Sequence, residues 1–135
     1  MAQIEQKVLE SVNRPGRIGV LATADKEARP NLAYFGSPRL TPEGTLVVGL
    51  GENRTLANLE QNPQAVFFAL ESSPVDFSTP GWRLYLRVQE IQRQGPVLDE
   101  IRGFIAEKAG KQAAGMIQAG VVFQVEEVRP LVDMG

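Results

Sequence analysis

The stretch Gly49-Leu-Gly-Glu-Asn-Arg-Thr-Leu-Ala-Asn58 decides how this chain is interpreted. An apolar run from Thr45 to Val48 precedes it and predicts a strand, whereas the residues up to Pro63 predict a short helix. The first turn of a helix has unpaired backbone N–H groups and the positive end of the helix dipole. Arg54 adds a guanidinium there and Thr55 a hydroxyl, so the arrangement favours an anion such as a phosphate.

The same residues also have a plainer interpretation. Asn53 is a preferred N-cap residue and needs no ligand to explain it. Gly49 and Gly51 ease a strand into a turn, and Arg54 is compatible with an ordinary solvated helix position. From these ten residues alone, a helix cap and a phosphate site both stay open.

Composition narrows the classes of function. The chain has 135 residues, 14 basic and 16 acidic, with a formal net charge of −2. This length predicts a single domain over residues 1–135. The absence of a basic surplus argues against nucleic acid or an anionic membrane as a partner. No apolar run approaches the ~20 residues of a membrane span. The charged, amphipathic N-terminus is unlike a signal peptide, so a cytoplasmic location is expected.

Two absent residue types exclude most protein-borne chemistry. The chain contains no cysteine and no histidine. Thiolate nucleophiles, cysteine or histidine metal sites and serine–histidine triads are therefore excluded, and no metal site is predicted. Any redox chemistry here requires an organic cofactor.

The pattern of hydrophobic residues predicts a mainly β protein with flanking helices. Strands and helices follow one another without a linker, and only one strand–helix–strand unit is tightly connected, which disfavours a parallel sheet. The prediction is a six-stranded antiparallel barrel. Its strands are expected at 17–24, 31–36, 45–50, 65–70, 82–88 and 120–128, with an extension of the fifth to Gln94 left open, and its helices at 3–13, 53–62 and 96–109. The fourth strand, Ala65 to Leu70, has no polar residue and is expected to be buried on both faces.

This order and the central motif together resemble a known family. The chain looks like a flavin-binding split-barrel protein of the pyridoxamine-phosphate-oxidase-like superfamily, and is most similar to its small single-domain FMN-binding members. The resemblance extends from Arg17 to Val128. Its motif is a basic residue, a threonine, two variable positions and an asparagine, which Arg54, Thr55 and Asn58 match. The resemblance implies a Greek-key split barrel.

The resemblance also implies cofactor-binding residues. It assigns the FMN phosphate to the start of the central helix, the flavin ring edge to the second strand, and the ring and ribityl chain to the backbone ending the third strand. The residues are Asn53, Arg54, Thr55 and Asn58 for the phosphate; Asn31, Leu32, Ala33 and Tyr34 on the second strand; and Val48, Gly49, Leu50 and Gly51 on the third.

Family members are typically homodimers with FMN at the subunit interface, and the same is expected here. Trp82 and the loop containing Phe77 are then candidates for covering the partner's flavin. Pyridoxamine-phosphate oxidases grip their substrate with an arginine and a histidine near the C-terminus. Because this chain has no histidine, pyridoxamine oxidation is not expected.

Three functions remain open from the sequence. The first is an FMN-binding electron carrier or small flavin reductase that exchanges electrons with a partner protein or NAD(P)H. The second is a substrate-specific oxidoreductase that uses FMN or a deazaflavin, with specificity in the loop Glu71 to Gly81. The third is a non-redox module that binds a phosphorylated ligand or serves as a dimer scaffold. No side chain is assigned a catalytic role.

Overall fold

The computed structural model describes residues 3–71 and 75–132 of the chain. Seven strands occur in this part: β1 Ile18–Ala24, β2 Pro30–Tyr34, β3 Arg39–Leu40, β4 Thr45–Leu50, β5 Gln64–Leu70, β6 Gly81–Gln92 and β7 Ala119–Pro130. Its helices are α1 Gln6–Val12, α2 Arg54–Gln61, α3 Pro96–Ala109 and α4 Lys111–Gly115. The strands form one curled sheet in the order β2-β1-β5-β6-β7-β4-β3, and all neighbours are antiparallel.

The predicted class, a mainly β antiparallel sheet with flanking helices, is confirmed. The bounds of β4 match the prediction, and α2 differs from it only because Asn53 and Asn62 are its caps. The predicted six strands become seven because β3, a two-residue strand, pairs with β4 through Arg39 and Leu40. Helix α4 was also not predicted, since five residues are too short to show a helical period.

The core lies between one face of the sheet and helices α1 and α2. Alternate residues of the strands point into it, among them Leu21, Phe67 and Phe123, which are all fully buried. Val8 and Val12 of helix α1 contribute to it, together with Ile4, which lies just before the helix. These side chains form one contiguous hydrophobic cluster.

The other face of the sheet is covered over only part of its width. Helix α3 packs on β4 and β7, where Gly49 pairs with Gly120. Strands β2, β1, β5 and β6 lie beyond it. The prediction that β5 is buried on both faces is therefore wrong for a single chain. Its inner residues Ala65, Phe67 and Ala69 are buried, whereas Val66, Phe68 and Leu70 are only partly covered.

Candidate functional site

A cleft of about 790 Å³ lies at the start of helix α2. One wall is the turn between β1 and β2, and the other is the loop after β4 together with the exposed side of α2. The turn is held against the helix because the backbone N–H of Lys26 donates to Gln61 Oε1 at 3.2 Å. The lining residues are Asp25, Arg29, Pro30, Glu52, Asn53, Arg54, Ala57, Asn58 and Gln61.

Asn53 and Arg54 occupy the positions that the sequence predicted for them. Asn53 is the N-cap, and its Oδ1 accepts the backbone N–H of Leu56 at 2.9 Å. The carbonyl oxygen of Asn53 accepts the N–H of Ala57 at 3.1 Å. Within residues 3–71 and 75–132, the N–H groups of Arg54 and Thr55 have no acceptor, and the exposed Arg54 guanidinium has no partner. Three donors of one helix end are thus free to bind an anion.

Thr55 and Asn58 point away from solvent. Thr55 is 2 % exposed and does not line the cleft, so its hydroxyl is not available there. Asn58 is 5 % exposed, and its Nδ2 donates to the hydroxyl of the buried Thr23 at 3.1 Å. Asn58 therefore fixes α2 on β1 and reaches the cleft only with part of its surface.

Asp25 and Arg29 form an ion pair in the opposite wall. Asp25 Oδ2 accepts Arg29 Nε at 2.7 Å, and Oδ1 accepts the backbone N–H groups of Glu27 and Arg29 at 2.9 and 3.0 Å. The Arg29 side chain, followed by these N–H groups, lowers the pKa of Asp25 below its ordinary value. The carboxylate remains ionised and is matched by the Arg29 guanidinium.

The second carboxylate of the cleft, Glu52, is also paired. Arg93, beyond the end of β6, binds Glu52 through Nη1 and Glu60 through Nη2, the latter at 2.9 Å. These two hydrogen bonds, that to Glu52 first, raise the pKa of Arg93. Asp25 and Glu52 each have an arginine partner, and Glu52 shares Arg93 with Glu60, whereas Arg54 has no ion pair with any of the residues described.

Strand β2 leads away from the cleft along an open edge of the sheet. Since β2 ends the strand order, one row of its backbone N–H and C=O groups has no neighbouring strand in the described part of the chain. Asn31 and Ala33 are half-buried, whereas the side chains of Leu32 and Tyr34 are 69 % and 68 % exposed on the outer face. The strand thus combines an apolar surface with free hydrogen-bonding groups.

The predicted residues of β4 do not join this cleft. Val48 and Leu50 are buried in the core, and Gly49 lies beneath α3. Gly51 is half-buried beside the carbonyl oxygen of Met116. The close packing of α3 explains Gly49 without a ligand.

The loop after β5 is described in part, since residues 72–74 lie outside the described ranges. In the remainder, Phe77 is 92 % exposed, and the side chain of Asp76 accepts hydrogen bonds from Ser78 and Thr79. Trp82 is half-buried with Lys7 Nζ 5.8 Å from its ring centre, and its indole N–H has no partner among the described residues. Neither aromatic residue reaches the Arg54 cleft of its own chain.

Sequence reasoning missed Asp25, Arg29 and Arg93 as parts of this site. The stretch Asp25 to Pro30 lies between two predicted strands, and nothing local links it to a helix that begins at residue 54. The one available signal is the acidic residue four positions before an arginine, a spacing that favours an ion pair across a tight turn.

The fold and the cleft define a class of protein, the small split barrel with a helix N-terminus in a cleft beside an open sheet edge. An FMN-binding protein from Syntrophomonas wolfei has this fold with a TM-score of 0.83 and 21% identity, over 96% of this chain and 87% of that one. An F420 reductase matches with a TM-score of 0.71 and 13% identity, over 93% and 98% of the two chains. HutZ, a heme storage protein from Vibrio cholerae, matches with a TM-score of 0.67 and 20% identity, over 95% and 94%.

A putative pyridoxamine 5'-phosphate oxidase also has this fold. Together these structures confirm the split-barrel fold that the resemblance implied. At these identities the likeness concerns the fold, and the ligands named for the matched proteins differ. No family model and no curated protein sequence matches the chain. Among the described helices, none has the length and apolarity to cross a bilayer.

Proposed function

We propose that this chain binds FMN and works in redox chemistry as an electron carrier or small flavin-dependent reductase. The observation that carries the proposal is the unpaired Arg54 at the first turn of α2, in a cleft that opens onto the edge of β2. A phosphate monoester carries about −1.5 to −2 charges at neutral pH and requires several donors. Arg54 and the free N–H groups of residues 54 and 55 supply them.

The second part of the fit concerns the ring. A flavin needs an apolar surface for its face and hydrogen-bonding groups at its polar edge. Leu32 and Tyr34 offer the first, and the unpaired backbone edge of β2 offers the second. A cleft of about 790 Å³ at the start of this strand lies within the usual range for cofactor sites.

When bound, FMN supplies a ring that accepts a hydride or single electrons. The chain's own residues anchor and orient the cofactor. Arg54 and the helix dipole fix the phosphate, and the two carboxylates of the lining, Asp25 and Glu52, are held by Arg29 and Arg93 and not by Arg54. No side chain of the cleft is assigned as an acid or base.

A homodimer with FMN at its interface completes the proposal. One chain leaves Leu32 and Tyr34 exposed and covers Phe68 only in part, which suits a second copy seated on this face. Such a copy would shield the ring from water. The most direct test of this arrangement is the oligomeric state.

The other ligands of this fold fit less well or need a separate test. Haem iron is usually held by histidine, cysteine, methionine or tyrosine, and this chain has neither of the first two. A deazaflavin oxidoreductase is favoured by the likeness to the F420 reductase, and its phosphate would use the same anchor. The absorbance spectrum of the purified protein separates the candidates, because flavin, deazaflavin and haem absorb at different wavelengths. A colourless protein that ignores added FMN contradicts the FMN proposal, and one that also ignores an added deazaflavin contradicts both.

Arg54→Ala tests the anchor. We expect FMN to bind more weakly by about 1.5–3 kcal/mol, the contribution of a hydrogen bond to a charged group. Riboflavin, which lacks the phosphate, should bind the variant and the parent protein equally. Quenching of flavin fluorescence measures both affinities.

Lys111→Ala is the control, since it removes an exposed cation outside the cleft. Equal weakening of FMN and riboflavin by Arg54→Ala would contradict the role of Arg54 as phosphate anchor. Oxidation of NAD(P)H by the loaded protein then distinguishes a reductase from a passive carrier.

A further inference from the structure

A second cleft, of about 560 Å³, lies at the other end of the β1–β2 hairpin. It is formed by the turn after α1, the loop between β2 and β3, and the last turns of α3. It shares no lining residue with the Arg54 cleft. Seven residues of β1 separate the two ends, and at about 3.3 Å per residue the clefts are roughly 20 Å apart.

The charge of this cleft has one sign. Arg14, Arg17, Arg39 and Lys108 line it, and no carboxylate is among the lining residues that the structure describes. Arg14 is 3.2 Å from Glu71 and Arg39 is 3.5 Å from Glu100, so two of the cations are partly balanced from outside. Lys108 has no ion pair with any residue in the described ranges.

The back wall is built before any ligand arrives. The buried Arg17 donates from Nε to the carbonyl oxygen of Val12 at 2.7 Å, and its Nη atoms donate to carbonyl oxygens of the β2–β3 loop. Asn13 exchanges two hydrogen bonds of 2.8 Å with the backbone of Leu40. These bonds fix both loops, so a ligand would meet an ordered surface.

The remaining walls are apolar. Phe104, Ile105 and Ala109 of α3 face Pro15 and Pro38 across the cleft. The Arg39 guanidinium lies 5.3 Å from the centre of the Phe104 ring, and Lys108 Nζ lies 5.8 Å from it. The apolar part of the cleft therefore lies next to two cations, Arg39 and Lys108, that both contact the ring of Phe104.

We propose that this cleft binds a small amphipathic organic anion, an aromatic carboxylate, with its ring against Phe104 and Ile105 and its carboxylate at Lys108 and Arg39. The volume falls in the range of small-molecule sites. An apolar body matches the walls, and one negative charge matches the unpaired Lys108. The site does not depend on the binding of FMN.

Titration of the isotope-labelled protein with 2-naphthoate tests this proposal, and backbone amide chemical shifts give both location and Kd. We expect shifts at Gly16, Gly36 and Ala109 and none at Arg54. The neutral isostere 2-naphthylmethanol should bind at least about tenfold more weakly, the effect of one charged hydrogen bond. Lys108→Met should weaken naphthoate by about the same factor and leave the alcohol unchanged.

Lys111→Met is the matched control, because this exposed lysine lies just after α3 and outside the lining. The proposal is overturned if naphthoate does not bind, if acid and alcohol bind equally, or if Lys108→Met has no effect. It is also overturned if the shifts cluster around Arg54 or disappear in Arg54→Ala. None of these outcomes bears on FMN, which is measured separately with Arg54→Ala.

Discussion

Two arginines of this chain have opposite surroundings and therefore opposite roles. Arg17 is 6 % exposed and donates to four backbone carbonyl oxygens, and it pairs with no carboxylate of residues 3–71 and 75–132. Burial lowers the pKa of Arg17, but a guanidinium stays protonated and is balanced here by carbonyl dipoles. Arg54 is exposed at a helix end where those dipoles have the other sign, so it favours an added anion.

The site itself could be predicted only in part at this scale. Asn53 was predicted as an N-cap from its type and position, and it is one. The burial of Thr55 and Asn58 could not be predicted, because Asn58 finds its partner Thr23 on a strand 35 residues earlier. A local motif identifies the helix end, whereas the direction of each polar side chain depends on how the helix packs.

The ion pair between Asp25 and Arg29 gives a prediction for pH. Arg29→Gln removes the largest influence on the carboxylate, so the pKa of Asp25 should rise towards its ordinary value. Because the pKa of Asp25 is lower in the folded chain than in the unfolded chain, its ion pair stabilises the fold at pH values above the unfolded-state pKa. This stabilisation is lost as the pH falls through the folded-state pKa of Asp25. Titration of the Asp25 carboxyl carbon by NMR measures the change.

Glu27→Gln is the control for this titration. It removes a more distant partner of Arg29, at 3.6 Å, and keeps the backbone N–H that Asp25 accepts. The pKa of Asp25 should change much less than in Arg29→Gln. If the pKa of Asp25 stays equally low in Arg29→Gln, the backbone N–H groups of the turn, and not the Arg29 side chain, lower it.

At the level of elements, a pair of glycines determines where α3 packs. Gly49 on β4 and Gly120 on β7 are cross-strand neighbours, and together they leave a flat area on the sheet. A Cβ on Gly49 would lie 2.6 Å from Ile101 Cγ2 and 2.9 Å from Ile117 Cγ2. The sequence suggested that Gly49 eases a turn or approaches a flavin, because the helix above it starts 47 residues later.

Gly49→Ala should therefore destabilise the protein. The added methyl must displace two branched side chains, and overpacking of this kind costs roughly 1–3 kcal/mol. Gly103→Ala is the matched control, since its Cβ would meet nothing within 4 Å and alanine is the better helix former. Urea denaturation of both variants measures the two changes in the free energy of unfolding. Equal stability of Gly49→Ala and the parent protein would contradict the packing argument.

The same scale shows which elements a sequence can predict. Helix α1 and strand β7 were predicted because each has several apolar residues at one clear period, and strand β4 was predicted because it is a continuous apolar run. Strand β3 has only two residues and pairs by virtue of the hairpin it forms with β4. Its existence follows from the path of the chain, which a local pattern does not contain.

At the scale of the whole molecule, the outer face of the sheet carries apolar side chains that a single chain leaves exposed or only partly covered. Cross-strand pairing places Leu32 beside Ala22 and Tyr34 beside Val20, and β5 adds Val66 and Phe68 to the same face. The sequence of β5 is apolar on both sides, as for a strand with two covered faces. In a single chain only the inner face of β5 is packed against the core, so the outer face would be covered by a second copy of the chain.

Leu32→Glu should therefore shift the protein from dimer to monomer. Leu32 is 69 % exposed in one chain, and a carboxylate on this face would be buried without a partner in the dimer. Met116→Glu is the matched control, because Met116 is 70 % exposed but follows α4 and lies off this face. Sedimentation equilibrium of all three proteins at equal concentrations measures the mass. A monomeric parent protein, or a dimer unaffected by Leu32→Glu, would show that this face is not the interface.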